Sequence, residues 1–153
     1  MVTMADRSVV VDTNVLLTAT HVPRPWRSQA LIVLNEWPNR GIRLLTCGQI
    51  LREYLVVATR PADVNGLGLR IDQSLENVEA FLGRMDLVEE GPESFAQLAW
   101  VLRTTECSGK QIHDANLVAI ALARGAQGLV TANPKDFERF SDLLSIQALA
   151  DVE

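Results

Sequence analysis

Cysteine and histidine are scarce in this sequence, and their scarcity excludes two common ways of stabilising a fold. The 153 residues include two cysteines and two histidines. Cys47 and Cys107 lie far apart, and neither has a further cysteine or a histidine at the spacing of a metal site. A disulfide framework and a structural zinc site are therefore both excluded. Such sparing use of cysteine is typical of a protein in a reducing compartment.

Long apolar runs and an excess of positive charge are also missing. The amino terminus has no basic region followed by an apolar stretch, and no apolar run reaches the roughly 18 residues that a membrane span needs. We therefore expect a cytoplasmic protein without a signal peptide or a membrane span. The formal net charge is −5, whereas nucleic-acid-binding domains are typically basic. Binding to a nucleic acid would depend on bound cations or on a local patch, such as residues 24–43 with four arginines and one glutamate.

Short apolar segments alternate with helical patterns along the chain. Strands are predicted at residues 8–11, 42–46, 87–88, 128–131 and 144–147. Helices are predicted at residues 13–17, 26–37, 49–58, 72–84 (capped by Asp72), 93–105 and 112–123, with one or two helical turns at 135–140. The strands are apolar throughout, which is typical of a parallel sheet covered by helices on both faces. We predict a single α/β domain over residues 1–153, a three-layer sandwich around a mainly parallel sheet of about four or five strands.

Asp12 is out of place in the apolar segment VVVDTNVLL, residues 9–17. A buried charge is costly unless something compensates it. An aspartate directly before a helix ordinarily serves as the amino-terminal cap of that helix. Because Thr13 or Asn14 could cap the short helix that follows, we expect Asp12 to have another function.

Two other acidic residues lie on apolar helix faces. Asp114 opens the helix IHDANLVAIALA and projects along the centre of its buried face. The helix dipole stabilises an acid in the first turn by about 0.3–1 kcal/mol, but it does not explain why the acid points inward. Glu53 lies at the border of the apolar arc in QILREYLVVA, where it could also be an ordinary boundary residue.

The predicted strand ends bring these acids together. In open α/β sheets, functional groups collect at the carboxyl ends of the strands, which here carry Asp12 and Asn133, and Asp114 is expected in the same crevice. Carboxylates within about 4–6 Å of one another repel, and the nearby lysines are limited to Lys110 and Lys135. A bound divalent cation is the economical compensation, and oxygen ligands without thiolates favour Mg²⁺ or Mn²⁺.

Four segments resemble the successive motifs of PIN-domain ribonucleases, most closely those of the VapC-type toxins of toxin–antitoxin pairs. The segments are VVVDTNVLL, ILREYL, GKQIHDANLVAIALA and LVTANPKDF, and the resemblance extends over residues 8–147. It implies a PIN-like sandwich with an acidic site, in which Asp12, Glu53 and Asp114 bind the metal ion and carry the catalysis. The implied activity is that of an Mg²⁺-dependent endoribonuclease that leaves a 5′-phosphate and a 3′-hydroxyl.

The fourth acidic position of this motif set departs from the family pattern. Members often have an aspartate there, whereas this sequence has Asn133, which can bind a metal ion or a water through its carbonyl oxygen but brings no charge. We therefore expect one tightly bound metal ion rather than two. Asp136 is a candidate to assist, or alternatively it caps the KDFERF turn. We expect Asn14, Thr131 and Asn133 to hold the carboxylates or to orient the attacking water.

The resemblance also implies partners: an RNA substrate, a cognate antitoxin protein that covers the groove, and a second copy of the chain in a homodimer. Arg24 and Arg27 follow the first motif and are candidates to contact RNA phosphates, with Trp26 available for stacking on a base. Alternatively, Trp26 belongs to the core at an exposed helix start. We expect His113 to be structural, and Thr13 to be no nucleophile because no base lies nearby in the motif.

Two other functions remain open from the sequence. A PIN-like module could bind RNA or protein without cleaving anything, because Asn133 replaces an acid. A phosphatase of the haloacid dehalogenase kind would use Asp12 as its nucleophile. That family expects an aspartate two positions further on, where this sequence has Asn14, and it also needs a distant catalytic lysine.

Overall fold

The computed structural model describes residues 7–153, and within them five strands form one sheet. The strands are β1 (Ser8–Val11), β2 (Arg43–Cys47), β3 (Met85–Val88), β4 (Gly128–Thr131) and β5 (Ser145–Ala148). Their order across the sheet is β3-β2-β1-β4-β5, and all four pairings are parallel. β1 is therefore the central strand, with β2 on one side and β4 on the other.

Six α-helices connect the strands in the described part of the chain. They are α1 (Thr13–Thr20), α2 (Arg27–Asn35), α3 (Gly48–Thr59), α4 (Ile71–Leu82), α5 (Pro92–Thr104) and α6 (Gln111–Ala123). Helices α1 to α4 pack in one group and α5 packs against α6. Right-handed crossovers place these two groups on opposite faces of the sheet, because the chain reverses direction across the sheet after β3. The predicted three-layer α/β sandwich is confirmed.

The two strands that bear the site lie in the centre of the core. Every residue of β1 and β4 is buried, whereas the edge strands β3 and β5 expose part of their residues. Burial on both faces explains why β1 and β4 read as unbroken apolar runs in the sequence. No helix among residues 7–153 has both the length and the apolar character needed to cross a membrane.

Helices α1, α2 and α4 have boundaries that differ from the sequence-based expectation. α1 continues to Thr20, beyond the predicted end at residue 17. α2 begins at Arg27, because Trp26 adopts a left-handed backbone conformation with φ = 66°, and it ends at Asn35. α4 begins at Ile71, so the predicted cap Asp72 lies inside the first turn, where its carboxylate accepts hydrogen bonds from Arg70.

Two shorter elements are close to their predicted positions. β3 begins at Met85, two residues before the predicted start, and pairs with β2 over its whole length. The KDFERF segment forms a 3₁₀ helix, Pro134–Phe140, which buries Phe137 and Phe140. The predicted helical turn is thus present, in the tighter 3₁₀ geometry that short segments commonly adopt.

Candidate active site

The candidate site lies where the central strands end. The Asp12 amide follows β1 and donates a hydrogen bond to the carbonyl oxygen of Val130 in β4, at 3.0 Å. The parallel pairing therefore continues one residue beyond β1, and it sets Asp12 beside Thr131, the last residue of β4. The backbone of two buried strands thus fixes the position of the first acidic residue.

The Asp12 carboxylate is buried and receives three hydrogen bonds from uncharged donors. The Asp12 residue is only 8% exposed. It accepts from the Thr13 amide at 2.8 Å, from Thr131 Oγ1 at 2.8 Å and from Asn14 Nδ2 at 3.1 Å. Asp12 is also the N-cap residue of α1, so the expectation that Thr13 or Asn14 would cap this helix is wrong. Capping and membership of the acidic site are combined in one residue.

Asn14 and Thr131 form a small scaffold around this carboxylate. Asn14 Nδ2 also donates to Thr131 Oγ1 at 3.2 Å, while its Oδ1 accepts from the Ala132 amide at 2.9 Å. Thr131 Oγ1 in turn accepts from the Asn133 amide at 3.0 Å. The Asn133 residue is exposed and serves this scaffold through its backbone amide. Of the three candidate supporting residues, Asn14 and Thr131 donate side-chain hydrogen bonds to Asp12. The side chain of Asn133 forms no hydrogen bond to Asp12 within residues 7–153.

Glu53 is brought to the site by α3 and is joined to Asp12 through Thr13. Thr13 Oγ1 donates to Glu53 Oε2 at 2.8 Å, and Gln49 Nε2 donates to Glu53 Oε1 at 2.9 Å. Thr13 is itself buried, so its hydroxyl and its amide hold two different carboxylates at once. The sequence suggests Thr13 only as a helix cap or a nucleophile. It gives no sign that Thr13 connects Asp12 to Glu53.

Asp114 lies in the first turn of α6, half-buried, opposite these two acids. Burial raises its pKa to about 6, and the charges of Asp12, Asp136 and Glu53 add to the rise. Burial likewise raises the pKa of Asp12 to about 6, with contributions from Glu53 and Asp136, although the hydrogen bonds from Thr131 and Thr13 act in the opposite direction. The four carboxylates are therefore electrostatic neighbours.

Positive charge does not balance this cluster in the described part of the chain. The ion pairs formed within residues 7–153 involve other acids, namely Glu36, Asp86 and Asp72. His113 lowers the pKa of Asp114 only as the smallest contribution. Buried, mutually repelling carboxylates with raised pKa values are typical of functional sites, and a divalent cation would relieve the repulsion.

The donor set fits a hard cation, but the acids are not drawn together as in an assembled metal centre. Among residues 7–153, no group of three or more His, Cys, Asp or Glu side chains has metal-binding spacing. Carboxylate oxygens are the ligands that Mg²⁺ prefers, and this ion usually keeps several waters, so two or three protein ligands suffice. Hydrogen bonds already hold the carboxylates of Asp12 and Glu53. These oxygen ligands suit a hard cation, and we expect the carboxylates to move closer to one another when an ion binds.

Asp136 and the candidate RNA-binding residues Arg24 and Trp26 are all found near the acidic cluster, in different ways. Asp136 is exposed in the first turn of the 3₁₀ helix, and its charge acts on both Asp12 and Asp114. Arg24 and Trp26 line a cavity of about 240 Å³ together with Asn14 and Asn133. Trp26 is 41% exposed, so the alternative that places it in the core is wrong.

Arg27 and His113 lie differently. Arg27 faces a separate groove between α2 and α4, and its Nε is buried without a hydrogen-bond partner in the described structure. The structure thus brings Arg24, but not Arg27, to the edge of the acidic cluster. The side chain of His113 is exposed, and its backbone carbonyl accepts from Gln49 Nε2 at 3.2 Å.

Comparison with known proteins identifies the fold and the family of this chain. A family model described as a PIN domain matches residues 8–135. Among solved structures, VapBC-1 from nontypeable Haemophilus influenzae has 22% identity and a TM-score of 0.66, covering 94% of this chain and 99% of that chain. VapBC2 from Rickettsia felis, bound to a DNA fragment from its promoter, has 16% identity and a TM-score of 0.66, covering 92% and 98%.

A third solved structure, DNA-bound VapBC from Salmonella typhimurium, has 18% identity and a TM-score of 0.65, with 94% of this chain and 98% of that chain covered. No curated protein sequence matches the chain significantly. At such low identity the structural likeness establishes the fold, and the family model establishes the relationship. Since that model spans β1 to the start of the 3₁₀ helix, this protein belongs to the PIN-domain family.

Proposed function

We propose that this protein is an endoribonuclease dependent on Mg²⁺ or Mn²⁺, and that it is the toxin of a type II toxin–antitoxin pair. The observation that carries the proposal is the acidic cluster at the carboxyl ends of the central strands. Four carboxylates from separate segments influence one another there, and the pKa values of Asp12 and Asp114 are both raised to about 6. Maintaining such a cluster is costly for a fold unless a bound cation compensates it.

Asp12, Glu53 and Asp114 would hold the metal ion. Their oxygens are the hard ligands that suit Mg²⁺ and Mn²⁺. The position that often carries a fourth acid is Asn133, which brings no charge, while Asp136 three residues later contributes its charge to the same cluster. One tightly held ion is the arrangement that this set of ligands favours.

In the proposed reaction, water attacks the scissile phosphorus, the bond to the 3′ oxygen breaks, and the products carry a 5′-phosphate and a 3′-hydroxyl. A divalent metal ion, when bound, would neutralise negative charge on the scissile phosphate and would lower the pKa of the attacking water. Thr131 and Asn14 fix the Asp12 carboxylate by hydrogen bonds, and Thr13 fixes Glu53. Because these donors are uncharged, they orient the carboxylates without reducing their charge.

RNA would approach from the side of the cavity lined by Arg24 and Trp26. This cavity shares Asn14 and Asn133 with the acidic cluster, so a base stacked on Trp26 would lie next to the scissile phosphate. Arg24 offers a positive charge to the phosphate backbone. Arg27, which faces the other groove, could contact a longer RNA only away from the acids.

The partner proposed for the acidic groove is an antitoxin. The solved relatives named above are VapBC assemblies, and the resemblance of the sequence motifs to VapC-type toxins implies an antitoxin as the second component. An arginine from such a partner, set against the exposed side of Asp114, would neutralise the cluster as a cation does. We also propose a homodimer, to be tested by light scattering of the purified protein.

The other two functions are less well supported. Membership of the PIN-domain family separates the chain from haloacid dehalogenase phosphatases, and three hydrogen bonds to the buried Asp12 carboxylate disfavour it as a nucleophile. A non-cleaving module would have no need for the charge of Asp136 beside Asp12 and Asp114. Titration calorimetry with Mn²⁺ discriminates this module from the nuclease, because the module should not bind the ion.

Expression of wild type beside Asp12→Asn tests the proposal, with growth arrest and cleavage of RNA in Mg²⁺ or EDTA as the measurements. We expect growth arrest and Mg²⁺-dependent cleavage from the wild type and neither from Asp12→Asn. Asp142→Asn, at an exposed residue beyond the 3₁₀ helix, is the matched control and should behave as wild type. Equal growth arrest by wild type and Asp12→Asn would refute the catalytic assignment.

A further inference from the structure

Gln49 connects two of the candidate metal ligands through a buried amide. It lies one turn before Glu53 on α3 and is only 7% exposed. Gln49 Nε2 donates to Glu53 Oε1 at 2.9 Å and to the carbonyl oxygen of His113 at 3.2 Å. Since His113 precedes Asp114, a single amide group holds the Glu53 carboxylate and the backbone next to Asp114.

Asn116 fixes the orientation of this amide from the other side. Asn116 Nδ2 donates to Gln49 Oε1 and to Glu90 Oε1, both at 2.7 Å. The hydrogen bonds thus run in series from Glu53 through Gln49 and Asn116 to Glu90. Glu90 follows β3, so this series reaches from α3 across α6 to a third strand end.

Only one orientation of the two amides satisfies these partners. Glu53, Glu90 and the His113 carbonyl are all acceptors, so the Gln49 and Asn116 nitrogens must face them and use both hydrogens each. Reversing the Gln49 amide would set its oxygen against the oxygens of Glu53 and His113 and would leave a buried group without a hydrogen bond, which is unfavourable. The hydrogen-bond partners, as well as packing, therefore fix the orientation of the Gln49 and Asn116 amides.

We propose that Gln49 is a positioning residue, which holds the Glu53 carboxylate at a set distance from Asp114 so that both can face one metal ion. The inference rests on the proposed function, because it assumes that these two acids share the ion. Gln49 itself stays behind Glu53 and needs no contact with metal or RNA. Asn116 acts one step further away, by orienting Gln49.

The test compares Gln49→Met with Gln97→Met. Methionine has nearly the length of glutamine but cannot donate to Glu53, and Gln97 on α5 provides the same chemical change outside the hydrogen-bond series. Titration calorimetry of the metal-free proteins with MnCl₂ measures the affinity. We expect Gln49→Met to bind Mn²⁺ about 10–100-fold more weakly than wild type, and Gln97→Met to bind it as wild type does.

Urea unfolding in EDTA measures the stability of each metal-free protein. It therefore distinguishes a positioning role of Gln49 from a purely structural one. Loss of Mn²⁺ affinity in a Gln49→Met protein that remains folded supports positioning, whereas unchanged affinity overturns it. If Gln49→Met does not fold, Asn116→Met, at a half-buried position, takes its place. It should show a smaller loss of Mn²⁺ affinity, and wild-type affinity there would overturn the inference.

Failure of the proposed function gives a different result. If the wild type itself does not bind Mn²⁺ and does not cleave RNA, the metal site is refuted, and the role of Gln49 falls with it. If the wild type binds and cleaves while Gln49→Met does so equally well, only the positioning role is refuted. The half-saturating Mg²⁺ concentration for cleavage should rise in Gln49→Met by about the same factor as the Mn²⁺ dissociation constant.

Discussion

At the scale of single residues, the site is built from side chains that serve two partners each. Asp12 caps α1 and belongs to the acidic cluster. Thr13 uses its amide for Asp12 and its hydroxyl for Glu53. Because each of these atoms is buried and directed, replacement of one side chain should affect the geometry of the site before it affects the fold.

The raised pKa of Asp12 predicts how the stability of the metal-free protein depends on pH. Burial raises this pKa from 3.8 to about 6, so the folded state holds the proton more tightly than the unfolded state. The stabilising effect is complete below the unfolded pKa and is lost as the pH rises through about 6. The full shift corresponds to about 3 kcal/mol.

Urea unfolding of wild type and Asp12→Asn in EDTA measures this contribution. Between pH 4 and pH 7, the stability of the wild type relative to the variant should fall by an amount on the order of 3 kcal/mol. Asp142→Asn, an exposed aspartate, should track the wild type across the same range. A stability difference between wild type and Asp12→Asn that does not change with pH would contradict the buried, protonatable carboxylate.

Thr13 allows a conservative pair of substitutions. Thr13→Val removes the hydroxyl that reaches Glu53 Oε2 at 2.8 Å, whereas Thr13→Ser keeps it. We expect Thr13→Val to lower Mg²⁺-dependent cleavage about 10–100-fold, as is typical for groups that orient metal ligands, and to cost about 1–3 kcal/mol of stability. Thr13→Ser should retain most of the cleavage. Equal rates for the two variants would assign Thr13 to packing alone.

At the scale of elements, the α1–α2 connection lies on the proposed path of RNA to the acids. Trp26 has φ = 66°, which is uncommon for a bulky residue and holds its ring at the start of α2 beside Arg24. Residues kept in such conformations cluster at functional sites. The shared cavity with Asn14 and Asn133 gives this unusual residue a position next to the proposed reaction.

Trp100 provides the control for a prediction about Trp26. Both tryptophans are exposed to a similar degree, 41% for Trp26 and 45% for Trp100, but Trp100 lies on α5. In the Asp12→Asn background, Trp26→Ala should weaken RNA binding by about 1–3 kcal/mol, the value of one stacked base. Trp100→Ala should leave it unchanged in fluorescence anisotropy with labelled RNA. Equal affinities for both variants would exclude a stacking role for Trp26.

The sequence predicts which strands and helices exist better than it predicts the residues at which they begin and end. All five strands and the helices follow from apolar patterning, because buried central strands and amphipathic helices leave strong periodic signals. The start of α2 was missed because the left-handed conformation of Trp26 has no local signature. The start of α4 was missed because Asp72 pairs with Arg70 from inside the first turn.

Sequence reasoning singled out Asp12, Glu53 and Asp114 because acids on apolar faces are conspicuous, and the structure brings these three together electrostatically. Gln49 and Asn116 escaped notice, since uncharged amides are ordinary helix residues in sequence. Their importance depends on contacts between α3 and α6 that no local pattern encodes. Gln49 did carry one signal, its place one turn before Glu53.

At the scale of the whole molecule, the acidic cluster joins segments that are distant in sequence. Asp12 follows the central strand, Glu53 comes from α3 in one helical layer, and Asp114 comes from α6 in the other. Metal-free, these segments meet through repelling charges. A shared cation would turn that repulsion into attraction between the two helical layers, so metal binding should stabilise the entire domain.

Thermal unfolding with and without Mg²⁺ tests this coupling. At an Mg²⁺ concentration about 100 times its dissociation constant, binding to the folded state adds about 2.7 kcal/mol, which for a chain of this size raises Tm by about 5–10 °C. The increase should be larger at pH 8 than at pH 5, because protons compete for carboxylates whose pKa values lie near 6. Asp114→Asn should abolish most of the increase, and Asp142→Asn should keep it. An Mg²⁺-induced increase that survives in Asp114→Asn would locate the ion elsewhere, because α6 would then contribute no ligand to it.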